Sequence, residues 1–172
     1  MANNIAMEKI PHKFVYCDTE LCIGCGMCMV KCSTGHFGIT KKQAKELGIK
    51  LISRNWVIKI KEPKVRAMVA CRHCEDSPCA KACPIGIIEV KNGMVRVNEE
   101  DCSGCGTCQM VCPYGAIEVH PVTDPETMIT RNIALKCDLC YGEEKQACIA
   151  SCKFKALSLM TWHEFEEKHK NM

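Results

Sequence analysis

The chain has few aromatic side chains and no long hydrophobic run. Phe, Trp and Tyr make up 5% of its 172 residues, so a conventional core of large side chains would be thin. No stretch of about 18 apolar residues occurs, and we therefore expect no membrane insertion. Residues 1–17 lack the basic start, the apolar core and the cleavage site of an export signal. We expect a cytoplasmic chain with an irregular arm over residues 1–13.

Cysteine is abundant instead, with 17 residues in the chain. In a secreted chain such a density would indicate a disulfide scaffold. The cytosol keeps thiols reduced, and clustered cysteines there are more often metal ligands. Metal ligation is therefore the favoured interpretation.

Apart from Cys17, the cysteines form four runs of four. The runs are Cys22, Cys25, Cys28 and Cys32; Cys71, Cys74, Cys79 and Cys83; Cys102, Cys105, Cys108 and Cys112; and Cys137, Cys140, Cys148 and Cys152. Residues 14–32 align with residues 94–112 at an offset of 80, so two parts of the chain share one plan. Cys17 has no cysteine equivalent in that repeat, and we expect a buried, apolar-like thiol there.

The first and third runs have the Cys-x2-Cys-x2-Cys-x3-Cys spacing of bacterial ferredoxins. In that motif three cysteines hold one [4Fe-4S] cubane, and the fourth crosses to a neighbouring cubane. Sixteen thiolates suit four cubanes with none missing. Structural zinc is the alternative, but zinc ribbons use two separated Cys-x2-Cys pairs. Four [4Fe-4S] clusters are the predicted cofactors. They would change the formal charge of +3 to about −5, so the apparent basicity is a poor argument for nucleic-acid binding.

The crossover leaves open which runs share clusters. The segment between Cys83 and Cys102 is short and contains Asn92-Gly93, a strong hairpin signal. We therefore pair the second run with the third, and the first with the fourth. The rival pairs the first with the second and the third with the fourth, over connections of 38 and 24 residues. The predicted ligand sets for the cluster iron are Cys22, Cys25, Cys28 and Cys152; Cys71, Cys74, Cys79 and Cys112; Cys102, Cys105, Cys108 and Cys83; and Cys137, Cys140, Cys148 and Cys32.

Local signals predict short elements around these runs. Capping boxes begin helices after Thr40 (near 41–47) and after Thr161 (161–170), and the apolar face of the second helix favours docking on its own fold. Ser77-Pro78 is expected to cap a helical turn, and residues 120–128 are expected to form a loop. Alternating residues before Val69 predict strands in an insert.

Several charged residues have more than one interpretation. Nine Lys or Arg lie among residues 41–66 against two Glu, which fits a solvated edge, a docking surface for an acidic partner or, least well, a nucleic-acid surface. His73 fits a surface position or a hydrogen bond to a cluster sulfur better than ligation. The remaining basic residues near predicted ligands are expected to be solvated, or else to raise a reduction potential or face a partner. They are Lys31, Arg72, Lys153 and Lys155.

The four runs, in this order, resemble the four-cluster iron–sulfur subunits of molybdenum and tungsten oxidoreductases and hydrogenase complexes. This family includes subunits of formate dehydrogenase, formate hydrogenlyase, dimethyl sulfoxide reductase, aldehyde oxidoreductase and carbon monoxide dehydrogenase. The resemblance covers residues 14–160. It implies the same pairing of runs and one chain of clusters across the subunit. Lys153 replaces the usual proline after Cys152, but no ligand is lost.

The predicted fold is α+β, with two pseudo-symmetric dicluster-ferredoxin-like units made of short β-hairpins and short helices. A single domain, 1–172, would comprise an inner unit (63–119), an outer unit (14–39 plus 133–160), an insert (40–62) and the terminal helix.

We expect an electron-transfer subunit with no catalytic residues of its own, because no catalytic constellation or nucleotide-binding loop is evident. It would relay electrons between a catalytic subunit and a second redox subunit, such as a hydrogenase or another ferredoxin-like protein. A formate dehydrogenase is the preferred catalytic partner, followed by a tungsten aldehyde oxidoreductase or carbon monoxide dehydrogenase. A diffusing polyferredoxin and a zinc-stabilised interaction or nucleic-acid-binding module are the alternatives.

Overall fold

The secondary structure consists of short strands and short helices. The structure, a computed structural model, describes residues 10–62 and 64–170, so the first nine residues of the predicted arm lie outside it. The strands are β1 (Lys13–Cys17), β2 (Trp56–Ile60), β3 (Val65–Val69), β4 (Ile88–Lys91), β5 (Met94–Val97), β6 (Glu118–Thr123), β7 (Thr130–Leu135) and β8 (Leu157–Thr161). The helices are α1 (Met27–Phe37), α2 (Lys41–Leu47), α3 (Pro78–Lys81), α4 (Thr107–Met110), α5 (Ala147–Ala150) and α6 (Trp162–His169).

The strands form separate two-stranded antiparallel sheets. Their pairs are β1–β8, β2–β3, β4–β5 and β6–β7. In the first pair Lys13 lies opposite Thr161, which brings distant parts of the chain together. The β2–β3 hairpin crosses the predicted boundary between insert and inner unit, and β6–β7 joins the inner unit to the outer one.

The hairpin predicted at Asn92-Gly93 is confirmed. It joins β4 to β5, and both turn residues have positive φ angles, 52° and 71°. Gly93 also lies close to the backbone of the preceding arm, because a Cβ added there would come 2.8 Å from the carbonyl oxygen of Pro11. Glycine is therefore required at this position for both conformation and space.

Both predicted capping boxes are present. The side chain of Thr40 accepts a hydrogen bond from the Gln43 N–H at the start of α2, which ends at Gly48 in the left-handed conformation. Thr161 accepts from the Glu164 N–H in the same way at the start of α6. As predicted, Ser77 is the N-cap residue of α3 and Pro78 its first helical residue, but the Ser77 hydroxyl donates to the carbonyl of Cys74 at 2.5 Å and does not cap the helix.

The predicted loop over residues 120–128 is partly wrong, because β6 continues to Thr123. Pro121 lies opposite Asn132 within the β6–β7 pair. Each of these strands has only one neighbour in the described structure and is therefore an edge strand. Pro121, which has no N–H to donate, can occupy such a strand without the loss of a ladder hydrogen bond.

The terminal helix docks on its own fold, as predicted. The Phe14 ring of β1 is fully buried, with its centroid 5.0 Å from that of Trp162 and 5.9 Å from that of Phe165. The Arg72 guanidinium lies 4.4 Å from the Phe14 ring centroid, so the expectation of a solvated charge is wrong there. The cation stacks on aromatic surface beside the second cysteine run.

Cysteines contribute directly to the core. One group of packed residues contains Cys71, Cys137 and Cys148 together with small aliphatic side chains. Another contains Cys108 with Val95 and Ile117, and Cys79, Cys83 and Cys102 pack against it. In the described ranges, 10–62 and 64–170, no helix is long and apolar enough to cross a membrane.

Candidate metal centres

Three apolar cavities have four cysteines each in their walls. Counting the space open to solvent, their volumes are about 360, 320 and 340 Å³. The cysteines are Cys22, Cys25, Cys28 and Cys152 in the first; Cys83, Cys102, Cys105 and Cys108 in the second; and Cys71, Cys74, Cys79 and Cys112 in the third. Each wall thus combines three cysteines of one run with one cysteine of another.

The remaining four cysteines lie where α1 meets α5. Cys32 is on α1 and Cys148 on α5, and these helices pack together. The charge of Cys32 raises the pKa of both Cys140 and Cys148, and the charge of Cys148 raises the pKa of the buried Cys137. These four residues are therefore neighbours.

The sulfurs are not joined to one another. All 17 cysteines lie in the described part of the chain and are free thiols. Among the described residues, no three Cys, His, Asp or Glu side chains converge closely enough to hold a single metal ion. In the three cavities the four thiols instead surround an apolar space. Thiol ligands around such a space suit a [4Fe-4S] cluster, which is held by four cysteine thiolates.

The loop of the third run is fixed by close backbone contact. Gly104 has a φ of 70°, and a Cβ there would collide with the backbone oxygen of Asn132 on β7. The β7 strand therefore supports the loop that carries Cys102 and Cys105. The Ala134 N–H of the same strand points at Cys102 Sγ, at 3.4 Å.

Backbone N–H groups point at further cysteine sulfurs. Cys32, Cys71 and Cys112 each accept from one such group at 3.3 Å; the donors are Arg54, His73 and Ala116. Hydrogen bonds to ligand sulfurs stabilise the added negative charge of a reduced cluster and so influence its reduction potential.

Burial keeps several of these thiols protonated when no metal is bound. It raises the pKa of Cys28, Cys74 and Cys108 to about 11, and that of Cys148 to about 12. Neighbouring cysteines raise these pKa values further. Because iron binds thiolates, loading the sites must displace protons from these sulfurs.

Cys32 differs because it lies beside a network of charged side chains. Burial alone would raise the pKa of Cys32, but its hydrogen bond with His36 and the charge of His36 outweigh burial and lower it. Burial also opposes the His36 cation, yet the 3.0 Å hydrogen bond to Asp138 raises the pKa of His36 to about 10. Arg54 forms an ion pair with Glu99 and lies 3.8 Å from Asp138.

This network was missed at the sequence level. His36 follows Cys32 by one helical turn, which is a usable signal. Its partner Asp138 is 102 residues away, and no local pattern links the two.

His73 is fully buried, so the predicted surface position is wrong. Its Nδ1 accepts from the Val95 N–H at 3.0 Å, while its own backbone N–H donates to Cys71 Sγ. Burial, followed by the charge of Lys136, lowers the pKa of His73 to about 2, so the ring is neutral. A hydrogen bond to a predicted cluster ligand is present, but the main chain provides it.

Lys136 is an almost completely buried lysine, 2% exposed. Its Nζ donates to the carbonyl oxygens of Val95 and, at 2.8 Å, of Cys137. It also lines the cavity of Cys71, Cys74, Cys79 and Cys112. No ion pair with a carboxylate is found for it within residues 10–62 and 64–170. Its positive charge acts to lower the pKa of Cys79 and of Cys137, which belong to two different cysteine groups.

Cys17 lies at the end of β1 and packs against the core, but it is half-buried and so less buried than predicted. Its Sγ accepts from the Met68 N–H at 3.2 Å, and burial raises its pKa to about 12. It lies beside Cys22 but does not line the cavity of the first run.

The cysteine groups follow one another through space. One packed group of core residues includes cysteines of the Cys22 cavity, the Cys137 group and the Cys71 cavity, and a second joins Cys79 and Cys112 to the Cys102 cavity. In agreement, the charge of Cys28 raises the pKa of Cys148, and that of Cys79 raises the pKa of Cys108. The spatial order therefore begins with the Cys22 cavity, passes the Cys137 group and the Cys71 cavity, and ends with the Cys102 cavity. The two exposed cysteines, Cys25 and Cys105, belong to the first and the last of these groups.

Comparison with known proteins identifies the class. Residues 21–87 match a 4Fe-4S dicluster domain, and residues 95–118 match a 4Fe-4S binding domain. The chain belongs to the family of [4Fe-4S] ferredoxin-type electron-transfer proteins, and its cysteines bind [4Fe-4S] clusters.

Relatives in Escherichia coli are similar over most of their length. The chain is 37% identical to the putative electron transport protein YsaA, over 87% of this chain and 90% of YsaA. It is 35% identical to the electron transport protein HydN, over 91% of this chain and 92% of HydN. It is 34% identical to formate hydrogenlyase subunit 2, over 87% of this chain and 82% of that subunit. A further match, to the putative oxidoreductase AegA, spans only 22% of that protein.

Proposed function

We propose that the chain is a four-cluster electron-transfer subunit without catalytic activity of its own. Its sixteen grouped cysteines would hold four [4Fe-4S] clusters in the ligand sets predicted from the sequence. The observation that carries this proposal is the composition of the three cavity walls, each with three cysteines of one run and one of its predicted partner run. The neighbouring Cys32, Cys140 and Cys148 support the fourth set.

The protein would use these groups as a single relay. Bound clusters supply one-electron redox chemistry, while the chain fixes their order and shields them from water. The exposed Cys25 and Cys105 mark the two ends at which partners would exchange electrons. In this order the Cys102 cavity of the inner unit forms one end of the relay, so the inner unit does not lie wholly between the outer runs.

Internal symmetry supports two dicluster units. Gly24 and Gly104 occupy equivalent places in the first and third runs, with φ angles of 69° and 70°. Each run continues into a helix, α1 or α4, that carries its third cysteine.

The matched dicluster domain spans the first and second runs, as the rival pairing would require. The positions of Cys152 and Cys112 in the cavity walls favour the pairing of first with fourth and second with third.

The proposed partners are a catalytic oxidoreductase subunit and a second redox subunit in the cytoplasm. Formate dehydrogenase, with or without a hydrogenase, is preferred because a relative is named as a formate hydrogenlyase subunit. A tungsten aldehyde oxidoreductase or carbon monoxide dehydrogenase is the next choice. Anaerobic co-purification of the chain with a catalytic subunit would distinguish a fixed complex from a diffusing polyferredoxin.

Metal analysis tests the cluster number. The anaerobically purified chain is expected to contain about 16 iron atoms and 16 acid-labile sulfides, because each cubane has four of each. Two to four zinc atoms without sulfide would contradict the proposal and favour a zinc-stabilised module.

Substitution of a crossover cysteine tests the pairing. Cys152→Ser is expected to damage the cluster held by Cys22, Cys25 and Cys28, with loss of about four iron atoms or conversion to a three-iron cluster. Its electron paramagnetic resonance (EPR) difference from wild type should match that of Cys25→Ser. Cys17→Ser is the control and should keep the full iron content. A Cys152→Ser spectrum that matches that of Cys105→Ser would show that the rival pairing is correct.

A further inference from the structure

The relay has two exposed ends, and their surfaces differ. We propose that the surface around Cys25 docks an acidic redox protein that exchanges electrons with the cluster at that end. This surface, called the Cys25 face, consists of the loop 21–27, the outer part of the β2–β3 hairpin and residues 153–155. The inference rests on the proposed function and adds the chemistry of one partner to it.

The centre of the Cys25 face is apolar and exposed. Leu21, Ile23 and Met27 are 48%, 45% and 41% exposed, and Phe154 is 47% exposed. Three of these four side chains also line the cavity of Cys22, Cys25, Cys28 and Cys152. A partner seated on them would cover the mouth of that cavity and approach the exposed Cys25. Contiguous apolar surface of this kind is typical of an interaction site.

The β2–β3 hairpin adds positive charge at the edge of this centre. Val57 and Met68 lie opposite each other, and both line the cavity. Residues two positions apart on a strand project from the same face, so the next pair on this face is Lys59 and Arg66. A Cβ added to Gly24 would come 3.0 Å from Lys59 Cε and 3.1 Å from Arg66 Cδ. Both basic side chains therefore lie against the loop that carries Cys25.

The arrangement of Lys59 and Arg66 favours an external anion. Like charges directly opposite each other on paired strands are unfavourable. Neither residue forms an ion pair with a carboxylate within the described ranges. Lys31, Lys153 and Lys155 are also exposed in or next to segments of the Cys25 face, against Glu20 and Glu62. The face therefore has five basic side chains against two carboxylates, and a positive surplus remains even when the cluster beneath it adds about −2.

The opposite end has a different character. Ile85, Met110 and Val111 are exposed around the Cys105 cavity, with Met110 at 86%. The polar residues there are mostly neutral or acidic: Ser103 and Gln109, with Asp101 and Glu118 beside them and Lys81 as a basic neighbour. An acidic protein would be attracted to the Cys25 face in preference to this end, because complementary charge steers association and like charge opposes it.

Electron transfer from a small acidic ferredoxin with two [4Fe-4S] clusters tests the proposal. The full-length, cluster-loaded chain would be mixed with the reduced ferredoxin at a series of ionic strengths. The wild-type rate is expected to fall steeply with added salt. The double variant Lys59→Glu, Arg66→Glu should be slower by about tenfold or more at low salt and nearly insensitive to salt. Because it keeps a like-charged pair on the hairpin, its folding should be little changed.

Matched controls separate the docking surface from other effects. The double variant Lys41→Glu, Lys45→Glu makes the same change in net charge on α2 and should react like wild type. Photoreduced 5-deazariboflavin, a small neutral reductant, should reduce all three proteins at the same rate. Equal slowing of both double variants, or no slowing of either, would overturn the docking surface while leaving the relay intact. Wild-type protein without iron or sulfide would overturn the proposed function itself, and the docking surface with it.

Discussion

Removal of iron is expected to unfold this chain. Within residues 10–62 and 64–170 the β-strands form only separate two-stranded pairs, and an isolated two-stranded hairpin is marginally stable in water. The helices α3, α4 and α5 have four residues each, which is far too short for stability without tertiary packing. The packed groups that hold them together are rich in cysteine, and aromatic residues make up only 5% of the chain.

The size of the effect follows from the energies involved. Structural metal binding contributes on the order of 10 kcal/mol per site in small domains, whereas a typical domain has a total stability of about 5–15 kcal/mol. The binding free energy lost with four clusters would therefore exceed the whole free energy of unfolding. Without metal, the thiols left in the core would be protonated and would surround unfilled space.

Circular dichroism and amide hydrogen exchange measure this outcome. Anaerobic chelation under reducing conditions should abolish protection of the hairpin amides, and readdition of iron and sulfide should restore it. The Cys17→Ser variant is the matched control, since Cys17 lies outside the proposed ligand sets and should leave the loaded chain folded. An apo chain that keeps its β4–β5 hairpin amides protected would show that the hydrophobic packing is sufficient alone.

Replacement of Lys136 by Met is expected to lower the reduction potential of the neighbouring cluster. A positive charge a few ångströms from a cluster stabilises the added electron by about 2–4 kcal/mol at an effective dielectric constant near 20. This corresponds to a shift on the order of 100 mV for one electron. The variant should also lose stability, because the buried carbonyl oxygens of Val95 and Cys137 lose their charged donor.

Anaerobic potentiometric titration followed by EPR spectroscopy measures this shift. Lys136→Arg keeps the charge and should retain most of the wild-type potential. Lys145→Met removes an exposed lysine and should leave every potential near its wild-type value. Identical titration curves for Lys136→Met and wild type would show that the buried ammonium does not interact with a cluster.

Features encoded by neighbouring residues could be predicted from the sequence. The capping boxes at Thr40 and Thr161 and the turn at Asn92-Gly93 each depend on two to four consecutive positions. The grouping of cysteines also follows from regular spacing and from a repeat at an offset of 80 residues. Because these signals are local or recur along the chain, they can be recognised without knowledge of tertiary contacts.

Features that depend on distant partners could not be predicted. Lys136 directly follows β7, where a solvated charge is normal, and its burial is explained by hydrogen bonds to the carbonyls of Val95 and Cys137. Arg72 is stacked on Phe14, 58 positions earlier in the chain. Pro121 can belong to a strand because that strand has a single neighbour in the described part of the chain, and no local pattern indicates this. In each case tertiary context decides between alternatives of similar local cost.

The β1–β8 pair constrains the order in which the protein can be completed during synthesis. Cys17 lies opposite Leu157, so β1 leaves the ribosome long before its partner exists. At about 5–20 residues per second this wait is roughly 7–30 s. The β4–β5 hairpin needs only neighbouring residues and can close much earlier. The Cys22 cavity remains without Cys152 throughout that interval. The nascent chain can therefore complete the Cys71 and Cys102 cavities before the Cys22 cavity.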